Sequence, residues 1–144
     1  YSLAESVACR LRSQKVVPST IQVTIRDKNL YSFERQAKMP FQYADSNEIF
    51  KVAYKLVKKN LPSEPIRSLG IRATNLVKEN IRQLSFLDDV AKIEKHGQAE
   101  AAIDSVSMRF GKESVRRAVM LTDTKLSNIT YDTPHPVAYL KSSL

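Results

Sequence analysis

The sequence predicts an α+β fold: a small, antiparallel-rich sheet with two helices on one face, followed by a mainly helical C-terminal extension. Three observations carry this. Ile21, Val23 and Ile25 alternate with Thr20, Gln22, Thr24 and Arg26, and a period of two marks a half-buried strand. Ile49, Val52, Ala53 and Leu56 recur at helical spacing, with Lys51, Lys55, Lys58 and Lys59 on the other side. From Pro65 to Val77 the period returns to two, with Leu69, Ile71 and Ala73 set against Gly70, Arg72 and Thr74.

Each element can be justified in order. Residues 2–14 read as a helix, with Leu3, Val7 and Leu11 at i, i+4, i+8 and Ala4 and Ala8 beside them. Arg10, Arg12 and Lys15 suit its C-terminal end, where they complement the helix dipole and add solubility. Cys9 reads as a small, semi-buried filler, since no neighbour lowers its pKa. Val17-Pro18-Ser19 ends the helix. The first strand follows, then a turn at Asp27-Lys28-Asn29 and a second strand from Ser32 to Phe41, giving a hairpin. The second helix starts at Asp45-Ser46-Asn47-Glu48, with Asp45 and Ser46 competing as N-cap, and closes at Asn60-Leu61-Pro62. Gly70 inside the third strand suggests a bulge or a close backbone approach.

After this strand the character changes. Ile81 and Leu84 to Leu87 form a short apolar segment suited to docking in a pocket, and Asp88-Asp89 can cap a helix. Gly97 is expected to interrupt that helix. Ala99, Ala102, Ile103, Val106 and Phe110 then give a strong helical period ending at Gly111. Ser114 to Thr122 reads either as a short strand or as another helical turn, and residues 123–144 as extended or loosely ordered. The organisation is a domain over 1–80, a linker segment over 81–89, a helical extension over 90–122 and a tail over 123–144.

Charge separates these parts. Residues 1–80 hold 14 Lys/Arg against 7 Asp/Glu, and residues 81–144 hold 9 against 8, so the net +8 sits almost wholly in the first part. Localised positive charge favours a polyanion through Coulomb attraction and counterion release. A sheet with both helices on one face leaves its other face free. Arg26, Lys28, Arg35, Lys38, Arg67 and Arg72 are the candidate phosphate contacts there; a solvated basic face is the alternative.

Several classes of chemistry are not indicated. There is no GxGxxG and no P-loop, His96 and His135 lie far apart, and no Cys/His spacing suits zinc. No constellation for nucleophilic or acid–base catalysis stands out, and no metal or catalytic residue is assigned. The single cysteine excludes an internal disulfide framework and fits a reducing compartment. No stretch reads as a signal peptide or a membrane span. On its own residues the chain reads as a binding module.

Leu3-Ala4-Glu5-Ser6-Val7-Ala8, Thr20 to Arg26, Ser32-Phe33-Glu34-Arg35-Gln36 and Ile66-Arg67-Ser68-Leu69-Gly70-Ile71 occur in an order that, with Gln83-Leu84-Ser85-Phe86-Leu87, resembles the C-terminal region of bacterial Y-family translesion DNA polymerases. That region is the little finger, or polymerase-associated domain, and the likeness covers about residues 1–89. Residues 98–121, with Arg109-Phe110-Gly111-Lys112 and Arg116-Arg117-Ala118, are similar to an extension of Gram-positive members.

The resemblance implies that the sheet lies along the DNA major groove and grips primer–template backbone phosphates. The matching positions are Arg26, Lys28, Ser32, Arg35, Gln36, Arg67, Arg72 and Thr74. It also implies that Gln83, Leu84, Ser85, Phe86 and Leu87 bind the sliding clamp, with Phe86-Leu87 reversed relative to the usual Leu-Phe ending. The catalytic carboxylates and Mg²⁺ would belong to a palm absent from this chain. Partners would be the palm, fingers and thumb, the duplex and the clamp, in the cytoplasm at the nucleoid, with no membrane. The family domain usually begins with a further strand, so one sheet edge is expected to be unpaired, for Ser114–Thr122 or another copy of the chain to cover. A clamp-binding interaction module with incidental basic charge and an RNA-binding α+β domain are the competing functions. The absence of aromatics from Ile66 to Val77 speaks against the RNA reading.

Overall fold

A computed structural model describes residues 1–79, 90–111 and 114–123. The segment Gln83–Leu87 and the tail beyond residue 123 lie outside the described residues. The elements are α1 (Ser2–Ser13), β1 (Val16–Asp27), β2 (Ser32–Lys38), α2 (Ser46–Lys59), β3 (Ile66–Lys78) and α3 (Val90–Phe110), then a 3₁₀ turn at Ala118–Leu121. The predicted α+β class is the one observed. The sheet has the order β2-β1-β3, with both neighbours antiparallel to β1. No strand among the described residues pairs the outer edge of β2 or β3, and Ser114–Thr122 supplies the 3₁₀ turn, not a strand.

The core forms where three apolar stripes meet. Ala4, Val7, Ala8 and Leu11 line α1, Ile49 and Ala53 line α2, and Val17, Ile21 and Val23 come from β1. Ile71, Ala73 and Val77 of β3 pack against them. Both helices therefore cover one sheet face. Each fully buried Ile or Val stabilises this layer by roughly 1.5–3 kcal/mol.

β1 is longer than its alternation suggested and includes Pro18, a residue that central strands exclude. Its pairing with β2 runs only from Thr20 to Arg26, and the Met39 amide closes it on the Ser19 carbonyl at 2.9 Å. At Pro18 the strand pairs with β3 alone, so the missing N–H faces away from a ladder. Strand β2 stops at Lys38, just before Met39-Pro40, rather than at Phe41. Asp45 wins the N-cap of α2: its carboxylate accepts from the amides of Asn47 at 2.6 Å and Glu48 at 3.3 Å. Ser46 is fully buried and bonds elsewhere.

The bulge is displaced from Gly70. Gly70 pairs regularly with Thr24, and a Cβ there would meet Thr24 Cβ at an ordinary 3.7 Å. The register shift lies between Arg26, opposite Ser68, and Asp27, opposite Ile66, which leaves Arg67 as the extra residue. Alternation from Ser68 to Thr74 is thus intact.

Gly97 does not interrupt α3, which runs through it for 21 residues. A Cβ at this position would collide with the Tyr43 hydroxyl, so glycine lets the ring approach the helix. Two other expectations fail nearby. Cys9 is exposed rather than semi-buried. The apolar period of α3 is not its buried stripe: Val106 and Phe110 are exposed, while Glu100 is buried.

Candidate nucleic-acid interface

Pairing register defines what the helix-free face of the sheet presents. On β1, Thr20, Gln22, Thr24 and Arg26 alternate with the core residues and share one face. Thr20 lies between Lys38 and Thr74, Gln22 between Gln36 and Arg72, Thr24 between Glu34 and Gly70, and Arg26 between Ser32 and Ser68. Paired residues share a face, so this is a grid of four rows and three columns, about 10 Å by 20 Å. Arg26, Lys38 and Arg72 are its exposed cations, with Ser32, Gln36 and Gln22 as hydrogen-bonding neighbours.

An acid sits inside the grid. Glu34 Oε1 accepts from Thr24 Oγ1 at 3.1 Å, and Oε2 accepts from the Gln22 amide. Sequence reasoning missed this residue, although period two on β2 places Glu34 beside Ser32 and Gln36. Arg26 donates from Nε to the Leu30 carbonyl at 3.3 Å, which fixes it over the hairpin turn. Thr74 shares the face, but its Oγ1 is buried with no hydrogen-bond partner among the described residues. Next to it, Asn75 adopts φ 52° and donates to Thr20 Oγ1 at 3.1 Å. A left-handed residue is tolerable as Asn.

Three predicted residues are not brought into this grid. Arg35 is opposite buried Val23, hence on the helix side of β2. It stacks over Phe33 at 5.0 Å and donates to Asn60, the C-cap of α2, at 3.3 Å. Lys28 lies in the hairpin turn and pairs with Glu64 at 2.8 Å. Arg67 is the bulged residue at the start of β3.

A second constellation, also missed in sequence, joins α1, α2 and α3. Glu100, only 6% exposed, accepts from Ser46 Oγ at 2.7 Å and Arg117 Nη2 at 2.5 Å, and pairs with Arg12 Nη1 at 3.0 Å. Arg117 also donates to Glu5 at 2.8 Å and stands over the Tyr1 ring at 5.3 Å. Burial lowers the Arg12 pKa, but the Asp104 hydrogen bond and the charges of Asp104 and Glu100 outweigh it and hold it above its ordinary value. Burial also raises the Glu5 carboxyl, against the pull of Arg117. Arg12 is therefore no simple solubility residue. No three His, Cys, Asp or Glu converge as a metal site among the described residues.

Fold and grid together define a two-layer α+β domain with an open, polar sheet face that carries cations. The chain belongs to the impB/mucB/samB family, whose C-terminal domain matches residues 1–86, and it is a Y-family polymerase C-terminal region. It is 37% identical over 131 residues to a DNA polymerase IV of Acetivibrio thermocellus, covering 90% of this chain and 33% of that relative. A DNA polymerase IV of Pelotomaculum thermopropionicum is 31% identical over 121 residues, 83% of this chain and 29% of the relative. A DNA polymerase IV 2 of Bacillus subtilis is 28% identical over 123 residues, again 83% and 29%. The chain thus spans about a third of the length of these curated relatives. No helix among the described residues is long and apolar enough to cross a membrane.

Proposed function

We propose that this domain grips the backbone of a primer–template duplex for a translesion polymerase, working in the cytoplasm at the nucleoid. The observation that carries the reading is the grid of Arg26, Lys38 and Arg72 on one open sheet face of a domain of this family. Phosphate contact positions a duplex without demanding normal base geometry, which suits synthesis across a damaged base. Ser32, Gln36 and Gln22 would add neutral hydrogen bonds. Arg35, Arg67 and Lys28 would act only at the margins of the grid. In this reading nucleotidyl transfer and its Mg²⁺ belong to a palm domain outside this chain, and thumb and fingers complete the polymerase.

Gln83–Leu87 is proposed as the sliding-clamp peptide, with Gln83 at the pocket rim, Ser85 in the linking position and Leu84, Phe86 and Leu87 as anchors. The test for both parts is binding of a labelled primer–template duplex and of clamp at two salt concentrations. Duplex binding should weaken steeply with salt and be lost in Lys38→Ala/Arg72→Ala, while Arg35→Ala changes it little. Clamp binding should depend on Leu84 and Phe86 and hardly on salt. A duplex affinity indifferent to the Lys38/Arg72 pair would overturn the sheet-face reading.

A further inference from the structure

The outward face of α2 lies on the side of the domain opposite the sheet's open face, because the core is packed between them. It carries Lys51, Lys55 and Lys58 along about 10 Å of helix, with Lys59 at its flank. Glu48 neutralises Lys51 at 2.6 Å; among the described residues no carboxylate pairs with Lys55, Lys58 or Lys59. Among these cations stands Tyr54, 55% exposed. One face of its ring is held by Phe50, stacked at 5.5 Å, and Phe50 in turn meets Tyr1 at 4.3 Å. Tyr54 is therefore an exposed aromatic backed by Phe50, with Lys51, Lys55 and Lys58 beside it at i−3, i+1 and i+4 on the helix.

We infer that this face binds single-stranded nucleic acid, the lysines holding phosphates and Tyr54 stacking an unpaired base. A duplex keeps its bases within the stack and offers Tyr54 a ring face only at its ends, whereas a single strand offers every base. An acidic polypeptide would satisfy the lysines but has no use for the fixed ring. The contact lies on a different surface from the duplex grid and stands or falls separately from it.

The test is fluorescence anisotropy of the full chain with a short labelled oligo(dT) and, in parallel, with a blunt duplex. Tyr54→Ala should weaken oligo(dT) about tenfold and leave duplex affinity unchanged, while Tyr54→Phe retains both. Lys55→Ala/Lys58→Ala should reduce the log–log salt slope for oligo(dT) by about 1.4. Conversely, Lys38→Ala/Arg72→Ala should spare oligo(dT). Any of three results would overturn the inference: no oligo(dT) binding by wild type, oligo(dT) affinity unchanged by Tyr54→Ala, or loss of oligo(dT) binding on altering the sheet face. Polyglutamate bound as tightly as oligo(dT) and regardless of Tyr54 would identify an acidic protein as the partner instead.

Discussion

Arg12 on α1 holds Asp104 on α3 through two parallel hydrogen bonds, Nε to Oδ2 at 2.6 Å and Nη2 to Oδ1 at 2.7 Å. The same guanidinium donates to the Ala44 carbonyl at 2.8 Å and pairs with Glu100. With the Ser46–Glu100 and Arg117–Glu5 contacts, this side chain fastens the extension to the domain through polar groups. Removing it leaves the partly buried Asp104 without its guanidinium and the Ala44 carbonyl without its donor, while Glu100 keeps Ser46 and Arg117. Arg12→Ala should lower stability by about 2–3 kcal/mol. Urea unfolding gives the number, and limited proteolysis should show α3 cut before α1 and α2. Arg10→Ala, two residues earlier on the exposed side of α1, is the control and should change little.

Gly97 makes a second prediction in which two effects oppose each other. In an exposed helix, Gly→Ala gains about 1 kcal/mol of propensity. Here the new methyl meets the Tyr43 hydroxyl, and forcing a ring aside costs about 1–3 kcal/mol. Gly97→Ala should therefore destabilise. Combined with Tyr43→Ala, the same change should become neutral or favourable relative to Tyr43→Ala alone, as a double-mutant cycle by chemical denaturation would reveal.

Glu34 should hinder anion binding on the grid. Replacing it by Gln keeps an acceptor for Thr24 and removes one negative charge among Arg26, Lys38 and Arg72. Duplex affinity should rise about threefold at low salt, and the gain should shrink as salt is added. An unchanged affinity in a titration at low salt would place the duplex away from this part of the sheet.

The Glu5 carboxyl offers a pH test. Its pKa is raised from 4.5, chiefly by burial. Between 4.5 and the raised value the folded state binds more protons than the unfolded state, so stability falls as pH rises through this window. Glu5 therefore contributes a small penalty above its folded pKa that disappears on acidification. Glu5→Gln removes the titration. The stability difference between wild type and Glu5→Gln should shift in favour of wild type as pH falls towards 4.5, measured by urea midpoints across the range.

Much of the layer structure was legible because it is written in local periods. The alternation around Ile21 and Val23 placed β1, and the Asp45 to Glu48 spacing placed the start of α2. The grid was only partly legible. From the sequence, Arg35, Gln36 and Lys38 are alike expected on the phosphate-binding face, yet period two forbids Arg35 from sharing a face with the other two. Phe33, Arg35 and Ala37 form the opposite set, and that signal was available in the sequence. The bulge at Arg67 could not be read, because it depends on which residue of β1 lies opposite. The Glu100 cluster was hidden for a different reason. It joins residues such as Arg12 and Arg117 across more than a hundred positions, and the apolar period of α3 pointed to another stripe. Charged side chains carry no periodic label that says which of them will be buried.

The place of β1 at the centre of the sheet has a kinetic consequence. Its hairpin partner β2 is a few residues away, but β3 begins some forty residues later, beyond the whole of α2. The hairpin can zip within microseconds, yet alone it is marginal. The β1–β3 ladder waits for a long chain closure and for α2 to supply apolar cover. Folding should therefore pass through a barrier in which Ile21, Ile49 and Ile71 have already met. Truncating any of the three should slow refolding in stopped-flow experiments more than it speeds unfolding, whereas changes in the α3 clasp should register almost wholly in the unfolding arm.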